Sequence, residues 1–168
     1  MDKIIVLIEK RYGPLDPSYS LILNFHPGSD PVTQPCKKNK TIKINLPDYV
    51  LNTKDLKAIN QKKLQFAHEM VHTISPEDDT KELTYLEEGM AVVLSEEYAN
   101  FYSNPPDKYL NARNLTNDLL KFDPEIILKV RTRNPNKTIS ELSVKMFQEV
   151  VQCIPTELLQ KLLQKFNS

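Results

Sequence analysis

Two histidines stand four residues apart in the stretch FAHEMVHTI, residues 66–74, and a glutamate directly follows the first. On an α-helix, positions i and i+4 lie one turn apart on one face, so His68 and His72 present their imidazoles to a common point. Imidazole nitrogen is a good ligand for Zn2+, and a catalytic zinc takes three protein ligands and keeps a fourth position for water. Glu69 lies on the side of the helix from which a carboxylate reaches such a water and takes its proton. The motif therefore supplies two ligands and a base, and lacks one ligand. The bland alternative is an ordinary amphipathic helix that carries two histidines, since so short a motif also occurs by chance.

The flanking and internal positions Phe66, Met70, Val71, Thr73 and Ile74 are uncharged, and in this the stretch resembles the extended HExxH signature of the zincin metallopeptidases. Gln65 stands where Val or Thr is commoner. The metzincin branch needs a third histidine downstream, and no histidine follows His72. Residues 83–91, LTYLEEGMA, instead resemble the LxEGxA segment of gluzincins such as the aminopeptidase-N-like enzymes. The resemblance implies that the glutamate before the glycine, Glu88, is the third zinc ligand. It covers roughly residues 60–98 and the strand before the active-site helix, less than a third of the chain. Glu87 is the rival, but it projects about 100° away from Glu88 on a helix. Gly89 and Ala91 are small enough to let two helices approach closely around one ion. The pattern departs from some gluzincins at Val92, where they carry an aspartate that orients the first histidine. That orientation would then fall to Ser95, Glu96 or a backbone carbonyl.

Further expectations follow from the same likeness. A tyrosine from a downstream helix stabilises the oxyanion in such enzymes, which makes Tyr109 the first candidate, with Tyr98 and Tyr102 as rivals; Arg113 is one turn from Tyr109. The remaining histidine, His26, is expected on the surface. An extended peptide substrate would pair with an edge strand above the active-site helix. TIKINL, residues 41–46, is expected to be that strand, with Ile42 and Ile44 at the substrate.

The elements needed to position these residues can be read from periodicity and punctuation. KIIVLIE, SYSLILNF and TIKINL read as strands, the last with Ile42, Ile44 and Leu46 alternating with polar neighbours. Residues 26–40, with three prolines and a lysine cluster, read as an exposed loop. From Thr53 the period turns helical. Asn52 and Thr53 are suitable caps for a helix over about 54–74, ended by Ser75-Pro76. A second helix is expected from near Thr80 past Tyr98, a third from Pro105-Pro106-Asp107, and a fourth from Asp123-Pro124-Glu125. Two more are expected over roughly 140–153 and 156–166. The fold class is α+β and, by resemblance, zincin-like: a small N-terminal sheet packed on the active-site helix, then a mostly helical C-terminal part. One domain is expected over 1–168, with strands and loops in 1–50, the two site helices in 53–103 and helices in 105–168.

Composition narrows the partners. Lys+Arg and Asp+Glu both number 22, so bulk charge attracts neither nucleic acid nor an anionic membrane. The apolar run Ile4–Ile8 is too short for a membrane span or a signal peptide. Cys36 and Cys153 lie far apart without a Cys-x-x-Cys partner, consistent with reduced thiols and a cytoplasmic location. The Asn-x-Thr sequons at Asn39, Asn114 and Asn136 are taken as chance. The expected activity is zinc-dependent hydrolysis of a peptide or protein substrate. The alternative is a zincin-fold protein that uses zinc structurally, in a binding or regulatory role.

Overall fold

The computed structural model describes residues 2–26, 31–47, 55–76 and 82–166. Its order is α1 (Asp2–Tyr12), β1 (Ser20–His26), β2 (Val32–Cys36), β3 (Thr41–Pro47), α2 (Leu56–Val71), α3 (Tyr85–Ala99), α4 (Asp107–Leu120), α5 (Ile126–Arg133), α6 (Val144–Gln148) and α7 (Thr156–Leu162). Short 3-10 turns cover His72–Ile74 and Ile139–Glu141. The class is α+β, with a three-stranded sheet and seven helices among the described residues. No helix there is long and apolar enough to cross a membrane.

The first element differs from expectation: KIIVLIE lies in helix α1, not in a strand. Ile4, Ile8 and Tyr12 recur every four residues and are all buried, which is a helical period. Asp2 in the first turn and Lys10 and Arg11 in the last suit the helix dipole. Gly13, at φ 94°, ends the helix in the left-handed region that glycine enters without steric cost. Beyond it, the Arg131 guanidinium of α5 donates to the carbonyls of Tyr12, Pro14 and Ile74, tying the end of α1 to the turn that follows α2.

Two further corrections concern the sheet. The proline-rich segment expected as a loop contains β2, and the strand order is β1-β3-β2, parallel between β1 and β3 and antiparallel between β2 and β3. Pro35 is tolerable because β2 is an outer strand, where a missing N–H disrupts least. TIKINL, in β3, is consequently the central strand and not an edge. Ile42 and Ile44 are 1% and 0% exposed, so neither side chain is available to a substrate. Ile44 and Leu46 belong to the core, on the side of the sheet that α2 covers.

Asp55 caps α2 by accepting from the Lys57 N–H, while the expected caps Asn52 and Thr53 lie outside the described residues. Thr84, not a residue near Thr80, starts α3. Its hydroxyl accepts from the Glu87 N–H, and the Glu87 carboxylate accepts from the Thr84 N–H at 2.9 Å. This reciprocal capping box fixes the register at which α3 begins. The C-terminal segment braces the same place: Lys165 bridges Thr84, Phe166 N–H donates to Leu83 O, and Tyr85 N–H donates to Gln164 O. Helix α4 begins where expected, and α5 begins at Ile126, just after the expected Asp123-Pro124-Glu125, which forms a turn; the two anticipated C-terminal helices are shorter, α6 and α7. Cys36 is half-buried in β2 and Cys153 is exposed, and both are free.

Candidate metal centre

Helices α2 and α3 pack against one another, and their contact brings together the residues singled out by spacing. His68 Nε2 stands 3.2 Å from Glu88 Oε2, and His72 Nε2 stands 4.0 Å from the same oxygen. One ligand atom from each residue lies within 4.8 Å of the others. The imidazole rings meet edge to face at 5.1 Å between centroids. A tetrahedral ion with bonds near 2.0–2.1 Å would hold its ligand atoms about 3.3 Å apart. The widest of the three separations, up to 4.8 Å, would have to close by about 1.5 Å (4.8 − 3.3) to meet that spacing. Glu88 Oε2 is buried, and the nearest groups that could pair with it are the two imidazoles. Two imidazoles and a carboxylate suit zinc but also other first-row metals.

The electrostatics are asymmetric. Burial works to lower the pKa of both histidines. At His68 the contact with Glu88 outweighs it and holds the imidazole above its ordinary value. At His72 burial, aided by the charge of His68, prevails and favours the neutral ring. Burial would raise the Glu88 carboxyl, but the His68 contact, with the charges of both histidines and Lys108, holds it below the ordinary range. Its place in the first turn of α3 adds the positive end of the helix dipole.

Glu87 is absent from this cluster because its carboxylate turns back onto Thr84, from whose hydroxyl it also accepts at 3.0 Å. The capping box was readable as Thr84-x-x-Glu87 directly before an apolar run. Gly89 is small for a reason other than the one expected. A Cβ placed there would meet Thr116 Oγ1 at 2.0 Å and the Ala112 carbonyl oxygen at 2.4 Å, so the glycine admits α4.

Of the three tyrosines, Tyr109 is brought to the site. Its ring centroid lies 6.1 Å from that of His68, and burial with the charges of Glu88 and Glu69 raises its pKa. Phe166 packs tilted against Tyr109 at 4.8 Å, Tyr85 packs on Phe166 at 5.1 Å, and Lys108 Nζ lies 4.4 Å over the Phe166 ring. Tyr102 is 87% exposed and Tyr98 packs against the core. Arg113 does not join Tyr109. It donates to Glu96 at 2.9 Å, and Glu96 also accepts from the Ser103 N–H and hydroxyl.

Ser95 donates to Val92 O within its own helix, so neither Ser95 nor Glu96 orients a histidine. His72 Nδ1 is buried without a hydrogen-bond partner. His26 is exposed at the end of β1, beside Asn24 and Asn45 on the sheet face away from α2. Glu69 is 7% exposed, and its carboxylate accepts a 2.7 Å hydrogen bond from Thr33 of β2. Nothing in the spacing of the sequence pointed to Thr33, which lies inside the segment expected as a loop.

Comparison with models of known protein families, with curated proteins and with solved structures returned no match.

Proposed function

We propose that the protein is a zinc-dependent hydrolase of the gluzincin kind, acting on peptide bonds. The observation that carries this reading is the convergence of His68, His72 and Glu88 from two helices on one half-buried point, with Glu69 next in chain to the first ligand. A zinc ion held by those three residues would polarise a carbonyl and make water more acidic. Glu69 takes the proton of the attacking water and passes it to the leaving amine. Tyr109 keeps its proton through the neutral range, because burial and two nearby carboxylates oppose its ionisation, and so serves as a hydrogen-bond donor to the developing oxyanion.

In this zincin-like arrangement the substrate strand would add to the sheet beside β2 and not β3, since β2 is the outer strand on the α2 side. The aromatic wall of Tyr109, Phe166 and Tyr85 would flank the substrate on the opposite side.

A second reading, a zinc-stabilised protein without hydrolytic activity, draws on one departure. Val92 stands where some gluzincins orient the first histidine, and His72 Nδ1 has no partner. Elemental analysis after zinc loading and dialysis tests the site itself. The wild type should retain about one zinc and Glu88→Ala should lose it; a wild type that retains none ends both readings. Cleavage of a peptide library then separates the two. Glu69→Gln should keep zinc and lose cleavage, and equal activity in that variant would sink the mechanism.

A further inference from the structure

We infer that Thr33 is a positioning residue that sets the orientation of the Glu69 carboxylate from the outer strand of the sheet. This rests on the reading of Glu69 as the proton-handling group. The Thr33 hydroxyl lies 2.7 Å from Glu69 Oε2 and 2.9 Å from the Glu69 backbone carbonyl. It has one hydrogen to give, and the shorter contact is the one to the carboxylate, so the side chain is the main acceptor. Both contacts span 36 residues of sequence and tie β2 to α2.

Geometry makes Thr33 suited to this task. It is paired with Ile44, which is fully buried on the α2 side, so residue 33 points from β2 toward the helix. A β-branched side chain on a strand has restricted χ1, which fixes the hydroxyl in place. Glu69 is nearly buried, where a carboxylate without a donor is costly and a single hydrogen bond decides its rotamer. With one carboxylate oxygen engaged by Thr33, only the other is left free to take a proton. Because β2 is also the strand beside which a substrate would lie, the same residue couples the placement of that strand to the placement of the base.

The test uses Thr33→Val, which keeps the shape and removes the hydroxyl, and Thr33→Ser, which keeps the hydroxyl. First, urea unfolding of the metal-free wild type, Thr33→Val, Glu69→Met, which has no side-chain oxygen to accept from Thr33, and the double variant forms a cycle that needs neither zinc nor turnover. The double variant should be no less stable than the less stable single variant. Additive losses would overturn the proposal. Second, with zinc bound, Thr33→Val should retain the metal and lose kcat about tenfold at unchanged KM, a part of what a positioned base contributes. Thr33→Ser should recover most of that loss. A change confined to KM, an unchanged kcat, or no recovery by serine would overturn it. If Glu69→Gln proves as active as wild type, the hydrolase mechanism fails, while the cycle still decides whether Thr33 holds Glu69.

Discussion

Replacing Gly89 by alanine should cost stability although alanine is the better helix former. The substitution removes backbone freedom from the unfolded chain and gains about 1 kcal/mol of helix propensity. Against that, the new Cβ would sit 2.4 Å from the Ala112 carbonyl oxygen, and real Cβ contacts essentially never fall under 3.0 Å. The helices must therefore part by at least 0.6 Å (3.0 − 2.4) along that line. The carbonyl belongs to the backbone of α4 and cannot rotate aside as a side chain would. Overpacking of this kind costs about 3 kcal/mol, the upper end of the usual range, which leaves a net loss of about 2 kcal/mol. In a chain of this size that is a fall of about 4–8 °C in melting temperature. Differential scanning calorimetry of the metal-free protein measures it, and Thr116→Ala supplies the control. Removing Thr116 Oγ1 relieves the 2.0 Å clash but leaves the backbone in place, so Gly89→Ala/Thr116→Ala should recover only a minor part. A Gly89→Ala protein as stable as wild type, or a full rescue by Thr116→Ala, would refute the close approach of α3 and α4.

Other consequences can be checked on the same material. The buried Tyr12 hydroxyl donates to Met90 O at 3.1 Å, and burial raises its pKa above 10.0. Its folded-state value exceeds the unfolded one, so its contribution is complete below pH 10 and is lost as pH rises further. Tyr12→Phe should lower stability at pH 8 by about 1 kcal/mol and make the decline above pH 10 shallower, measured by urea midpoints at several pH values. Glu96→Ala strips partners from Arg113 and from both donors of Ser103 at once, while Arg113→Met removes the guanidinium but leaves both Ser103 donors on Glu96. Chemical unfolding should therefore find a loss of about 2 kcal/mol for Glu96→Ala and a smaller one for Arg113→Met. Adding excess zinc should raise the melting temperature of the wild type and leave that of His72→Ala unchanged, as expected when a ligand binds only the native state.

The candidate cluster was legible because it is written in two local patterns, a four-residue spacing on one helix and a short glutamate-glycine segment on the next. Tyr109 was ranked first among its rivals for its neighbour Arg113, and it does lie at His68, yet Arg113 is held by Glu96. The sheet was less legible. A short apolar run such as Ile4–Ile8 fits a buried strand as well as a helix face, and only the residues bounding it, Asp2 and Gly13, point to α1. Prolines at 31 and 35 hid β2, although an outer strand tolerates them. Strand order follows from pairings that no local pattern records, so the alternation in TIKINL cannot tell a central strand from an edge. Thr33 escaped notice for the same reason: its partner is 36 residues away.

The brace between residues 164–166 and the start of α3 has a bearing on the order in which the protein is made. All of the candidate ligands have been synthesised by Glu88, and Tyr109 follows soon after. Yet the backbone bonds from Leu83 and Tyr85, on which the glutamate's helix begins, go to Gln164 and Phe166. Phe166 also supplies the far side of the aromatic wall. A chain growing from the ribosome carries the histidines long before it can seat Glu88 against them. Seating of Glu88 against the histidines is thereby deferred until Gln164 and Phe166 have been made, well after the three candidate ligands themselves.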